Sequence, residues 1–473
     1  MFIKNKTATV IILLLLIVII SPCSFADSTA FRSDTPYGEF TEMPEPLTTD
    51  QLARLSLLSS GLKEDQLNPY LRKLSNILKN SEKVITPVMN TDEKAEALLL
   101  FLHNDVFTRY SLTQTYLHTV LDKGTYNCVS SALLYMIVTR YHGIPVEGIH
   151  AVDHAFCFIP GSGMQGIDIE TTNEWGFDPG SRKEFQSSFT SRTGYAYVPP
   201  GNYKARLRLG DRDMAGLILQ NRIVELQKKN RHMEALTLAA DRLALTGSAM
   251  ARQDYFNSVQ NAAAQKNIQK DYIAGIELIS RAALQDADFP DFLRATRSQL
   301  VYNACAEAVN RNNLTAARQI LSSQKSYILE EDMYAMETLI IQRDLEIRSK
   351  GEFSSALINE IAQAAAKGII SNTRAASLAA YHYSLKSEVL SSQGRNRDAY
   401  LFMLEAEPWI QKDREYKRLI GIIRNNTAIE YHNKIVTLLN ENKKEDAVKI
   451  LQEGLELIPR NSLLLQDKRK LVP

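Results

Sequence analysis

From about residue 211 to the end the chain is built from one recurring element, and that limits the larger part of it to stacked helices. Prolines are few there, and Ala, Leu, Glu, Lys and Gln dominate at helical spacing. A turn followed by alanine returns at Ala235 (after Asn230), Ala274, Ala317, Ala356 (after Gly351), Ala399 (after Gly394) and Ala447. The successive spacings are 39, 43, 39, 43 and 48 residues, so each unit is long enough for two helices and a turn. In the last unit Tyr431, Ile435, Leu438, Ala447, Leu451 and Pro459 hold the large, small and turn positions of a helical hairpin, Gly454 fits a small position, and Asn440–Asp446 forms the turn.

These units resemble degenerate tetratricopeptide repeats, and residues 211–473 are expected to form an all-α array of them. Such arrays offer a face for a protein partner. At the other end, residues 1–26 read as a signal peptide: Lys4 and Lys6, an apolar run from Thr9 to Ile20, and Ser24-Phe25-Ala26 as a cleavage site. The protein is therefore expected to be exported, periplasmic or secreted. A retained leader, or one lipidated at Cys23, would leave it membrane-anchored, although Pro22 departs from the lipoprotein pattern. No later stretch approaches 18 apolar residues, so no transmembrane helix is expected in the mature chain. The 55 basic and 54 acidic residues nearly cancel, which leaves no basic surplus for nucleic acid.

Residues 27–47, with Pro36, Pro44 and Pro46, read as an extended lead-in. Residues 48–205 form the second expected domain, helical over 48–120 and mixed over 121–205. Asn127 can cap a helix carrying Val129, Ala132, Leu133, Met136 and Ile137, which Gly143 and Pro145 end. Strand-like runs follow at Val146–Ile149, Val152–Ile159 and Ile167–Thr171, with a further one at Tyr195–Val198 before Pro199-Pro200.

Loss of the leader leaves Cys128, Cys157 and Cys305, an odd number in an oxidising compartment, so at least one thiol is free or pairs between molecules. Cys128 falls in the first turn of its helix, where the macrodipole and unpaired N–H groups favour a thiolate. His154, Phe156 and Phe158 share one strand face and Cys157 points to the other. A turn centred near Gly161–Gly163 sets Asp168 or Glu170 opposite His154, giving a nucleophile, a base and an acid that orients the base. The backbone N–H of Cys128 is the first oxyanion donor, with Tyr126 and Asn127 as candidates for a second. His150 and His154 are four apart on a strand, about 13 Å, too far to share a metal ion, and no metal or cofactor site is expected. Asn173–Gly180, with Trp175 and Phe177, could wall a substrate cleft or serve as a packed turn.

The stretches Tyr126-Asn127-Cys128-Val129-Ser130-Ser131-Ala132-Leu133-Leu134-Tyr135, Gly143-Ile144-Pro145, Asp153-His154-Ala155-Phe156 and Ile167-Asp168-Ile169-Glu170-Thr171-Thr172 together resemble the transglutaminase-like superfamily of papain-like folds, above all bacterial members fused to tetratricopeptide repeats. The resemblance covers roughly residues 90–200. It implies an α+β papain/transglutaminase-like domain ahead of the helical array, and a catalytic triad of Cys128, His154 and Asp168, with Glu170 as the alternative acid. Phe156 stands where tryptophan is usual, and Ile169 where proline is frequent.

Two functions from different classes follow. One is a thiol enzyme of acyl transfer, a cysteine protease-like peptidase or amidase acting on a protein or peptide, or a transamidase that cross-links proteins. The other is a non-catalytic interaction scaffold whose repeats grip a partner.

Overall fold

The computed structural model describes residues 31–151, 154–161, 166–194, 206–283, 289–410 and 413–471. The leader, the expected strand at Tyr195–Val198 and Asp153 lie outside them. The molecule is mostly helical with a small sheet region, and it divides into two compact units, Met1–Leu293 and Arg294–Pro473. No helix among the described residues is long and apolar enough to cross a membrane.

In the first unit a short helix α1 (Gly38–Thr41) precedes α2 (Thr49–Ser59), α3 (Leu67–Ser81) and α4 (Thr91–Asp105). Thr48 caps α2 and Asn90 caps α4, each in a reciprocal capping box with the residue three positions on. Two-residue β1 (Arg109–Tyr110) pairs in parallel with β2 (Thr125–Tyr126), on either side of α5 (Leu117–Lys123). Gly124 ends α5 at φ 64°, and a Cβ there would lie 2.4 Å from Val106 O, so only glycine fits.

Helix α6 (Cys128–Tyr141) is buried over its first twelve residues, including the polar Ser130, Ser131 and Thr139. A four-stranded antiparallel sheet follows: β3 (Glu147–Ala151), β4 (His154–Ile159), β5 (Ile167–Ile169) and β6 (Arg206–Leu209), in the order β5-β4-β3-β6. Ala155, Cys157 and Ile159 turn towards α6 in the main core, and the Cys157 thiol lies 3.6 Å from Ala132 O. Ile149, Ala151, Phe156 and Phe158 cluster on the opposite face. Helix α7 (Lys183–Thr193) lies between β5 and β6 in the chain.

The segment expected as an extended lead-in is packed instead. Phe31, Tyr37, Phe40 and Leu47 are buried. Ser33 binds Asp241 through both its N–H and its hydroxyl, and Arg212 donates to the carbonyls of Phe40, Thr41 and Met43. Apolar side chains thus tie residues 31–47 to helices that begin at Asp211. Those helices, α8 (Asp211–Lys228), α9 (His232–Thr246), α10 (Ala249–Ile268) and α11 (Tyr272–Ala283), belong to the first unit, because Met214, Leu217 and Ile218 of α8 share its core. The contact is close: a Cβ on Gly148 of β3 would lie 2.1 Å from Met214 Cγ.

Helix α12 (Asp291–Asn310) runs across the division. The second unit continues with α13 (Leu314–Gln324), α14 (Glu330–Arg348), α15 (Ser355–Ala366), α16 (Asn372–Ser392), α17 (Asn396–Ile410), α18 (Arg414–Asn440), α19 (Lys444–Leu457) and α20 (Ser462–Leu471), an all-helical array. The turn-then-alanine signature has a concrete geometry in both units. Asn230, Asn312, Gly394 and Asn442 adopt positive φ, and Ala235, Ala317, Ala399 and Ala447, five residues on, are fully buried. A left-handed residue closes one helix and sets the small residue where the next helix crosses closest. Lys270 does the same for Gly275, which takes the small position expected at Ala274. Ala356 does not follow the pattern: Ser354 caps α15, and Leu357 and Ile358 are the buried residues there, leaving Ala356 exposed. Gly454 fits between Tyr431 and Leu464, each about 3.1 Å from a built Cβ.

Candidate functional site

The site starts from the cap of α6. Asn127 Oδ1 accepts from the N–H groups of Val129 (3.1 Å) and Ser130 (3.0 Å), and the Ser130 hydroxyl accepts from Asn127 N–H (3.0 Å). The cap claims the second and third donors of the helix but not the first, the N–H of Cys128. Tyr126 and Asn127, expected as further oxyanion donors, are committed elsewhere. The Tyr126 hydroxyl donates to Thr172 O at 3.3 Å and Asn127 Nδ2 to Leu112 O at 3.3 Å.

Cys128 is buried and free, and its thiol interacts with the His154 imidazole. His154 opens β4 next to Ala151, its cross-strand partner. Its ring stacks on Phe156 at 6.1 Å and meets Phe189 of α7 edge-on at 6.1 Å. Nε2 is bonded to Glu170 Oε2, so Nδ1 is the ring nitrogen that the acid does not occupy. The other carboxylate oxygen of Glu170 accepts from the Thr172 hydroxyl (2.7 Å) and N–H (3.2 Å), so both oxygens are held.

Burial alone would push the His154 pKa down. The charge of the Glu170 carboxylate, together with hydrogen bonds to Cys128 and Glu170, outweighs that and holds it well above the ordinary value. A proton on the imidazole is thus stabilised between a thiol and a carboxylate.

Asp168, the acid expected first, does not reach His154. The register sets Phe158 opposite Asp168 and Cys157 opposite Ile169, four residues from a register with Asp168 opposite His154 and two from one with Glu170 there. Asp168 therefore stands level with Phe158, four residues or about 13 Å along β4 from His154. Arg206 of β6 reaches across the sheet face to bind both oxygens of Asp168. Its guanidinium lies over Phe156 and Phe158, at 5.2 and 5.3 Å from their ring centroids.

Polar residues after β5 are unusually buried: Glu170, Thr171, Thr172 and Asn173 are all at most 4% exposed. Each has a partner that the linear sequence does not reveal. Thr171 Oγ1 meets Ser131 Oγ at 2.8 Å, and Thr171 O lies 3.1 Å from His103 Nε2. Gly176 closes the loop, donating to Asn173 O and accepting from Glu170 N–H. The aromatic wall expected at Asn173–Gly180 is split, with Phe177 buried and Trp175 39% exposed. Cys157 points into the core, where burial and then the Glu170 charge push its thiol up, and burial pushes the Cys305 thiol to about 11. No cluster of metal-ligating side chains occurs among the described residues.

No family model, curated protein or solved structure matches this chain.

Proposed function

We propose that the protein is a thiol enzyme of acyl transfer, of the transglutaminase-like, papain-like kind, that hydrolyses a peptide or amide bond. The observation that carries this reading is the convergence of the Cys128 thiol, the His154 imidazole and the doubly anchored Glu170 carboxylate. Cys128 is the nucleophile, His154 the general base and acid, and Glu170, in place of Asp168, the group that fixes the imidazole tautomer.

In the proposed reaction the sulfur bonds to the substrate carbonyl carbon, and the Cys128 N–H stabilises the oxyanion. The C–N bond then breaks, and the imidazolium passes its proton to the departing amine. Water, losing a proton to His154, attacks the thioester. The C–S bond breaks, the acid leaves and the thiolate returns. An amine in place of water would give transamidation by the same steps. The helical units serve to hold a protein partner or substrate, and the leader pattern of residues 1–26 supports action outside the cytoplasm.

The test is alkylation of the full chain by iodoacetamide at pH 6, with peptide mapping. Cys128 is expected to react far faster than Cys157 and Cys305 and to lose that lead in His154→Ala. Equal, slow labelling in both proteins would remove the enzyme reading and leave a scaffold.

A further inference from the structure

We infer that Ser131 and Thr171 are positioning residues of the proposed reaction, a buried pair of hydroxyls that fixes the loop bearing the acid against the helix bearing the nucleophile. The inference rests on the acyl-transfer reading above. Ser131 stands three residues after Cys128 on α6, and Thr171 directly follows Glu170. Their Oγ atoms lie 2.8 Å apart, and Ser131 Oγ is also 3.3 Å from the carbonyl oxygen of Cys128. Ser131 has one hydrogen to give, so one arrangement satisfies both contacts: Thr171 donates to Ser131, and Ser131 donates to Cys128 O.

This relay closes a ring of contacts. From the Cys128 backbone it runs through Ser131 to Thr171, passes along the chain to Glu170, and returns through His154 to the thiol. Adjacent residues thus serve the two halves of the site, Glu170 the imidazole and Thr171 the helix. His103 of α4 and Tyr126 of β2 hold the carbonyls of Thr171 and Thr172, and the hydroxyl pair adds a bond to α6 itself. Ser131 and Thr171 are both fully buried. Alanine and valine would occupy nearly the same volumes without the cost of taking a hydroxyl out of water, so packing alone gives no reason for either oxygen. Alignment does, because a shift of about 1 Å between reacting groups is enough to cost about a hundredfold in rate.

The experiment is iodoacetamide labelling of Cys128 in the full-length protein at pH 6 and at about pH 9.5, with urea unfolding measured beside it. At the lower pH the thiol depends on the imidazole to take its proton, and at the higher pH it does not. Thr171→Val is expected to slow labelling about tenfold at pH 6 and less than about twofold at pH 9.5. Thr171→Ser, which keeps the hydroxyl, should restore the rate at pH 6. Ser131→Ala should match Thr171→Val, and the double variant should be no slower than either, because both changes break the same relay. A purely structural loosening of α6 would instead expose the thiol and speed labelling at both pH values. With a fast parent, that result, an unchanged rate at pH 6 in both single variants, failure of Thr171→Ser to restore the rate, additive losses in the double variant, or unfolding of both single variants would overturn the positioning role and leave the acyl-transfer reading standing. Slow labelling of Cys128 at pH 6 in the parent would end both.

Discussion

The Glu170 carboxylate holds His154 Nε2 with one oxygen and the Thr172 hydroxyl and N–H with the other. A carboxylate anchored on both sides cannot swing away from the ring, so the imidazole is held at Nε2 and Nδ1 is the nitrogen left over. Glu170→Gln keeps the shape and removes the charge. We expect the iodoacetamide rate at Cys128 and any turnover to fall by about 100- to 10,000-fold, as when the orienting acid of a nucleophile–base pair is neutralised. A loss of under twofold would exclude Glu170 from the role.

Asp168→Asn should act on stability instead. It weakens the bond from Arg206, whose guanidinium is then left over Phe156 and Phe158 with a neutral partner. The pair is partly buried, and a cost of about 1–3 kcal/mol is expected in urea unfolding. Cys128 labelling should stay within a few-fold of the parent. A larger loss of labelling than in Glu170→Gln would reverse the two assignments.

The raised pKa of His154 has a pH signature. The folded protein binds this proton more tightly than the unfolded chain, where histidine titrates near about 6.5. The stabilisation is therefore fully present below about pH 6.5 and is lost as pH rises through the folded-state pKa. Unfolding free energy measured from pH 6 upward should decline, and His154→Gln should remove that part of the slope. An identical slope in the variant would show that the Glu170 pairing does not hold the proton.

Gly176→Ala tests the loop that presents Glu170. A Cβ there would lie 1.9 Å from Glu170 O and 2.8 Å from its carbonyl carbon, so the backbone must shift. Cys128 should lose its labelling lead while far-UV circular dichroism stays near the parent's. Gly180→Ala, with nothing within 4 Å of the added carbon, serves as the matched control and should keep that lead.

Local pattern made much of this legible in the linear chain. The asparagine cap, the periodic apolar positions Val129, Ala132, Leu133, Met136 and Ile137 and the two-residue alternation of His154, Phe156 and Phe158 depend on neighbours within one or two turns, and the sequence records them directly. The same holds for the left-handed turn residue five positions before each buried small residue. Ala356 shows the limit, because a serine cap nearby redirected the helix start and with it the buried positions.

What tertiary structure decided was which acid meets the histidine. Asp168 and Glu170 lie two apart on one strand face, so alternation cannot separate them. The longer connection between β4 and β5 set Asp168 opposite Phe158, four residues from His154, and Arg206, 38 residues further on, claimed Asp168 from across the sheet. Residues 31–47 likewise read as an open lead-in because their partners, Arg212 and Asp241, lie more than 160 residues away. Residue types and short-range periodicity fix which groups are available. Pairings across a sheet or between distant segments depend on loop length and on competition for charge, and those are settled only when the chain closes on itself.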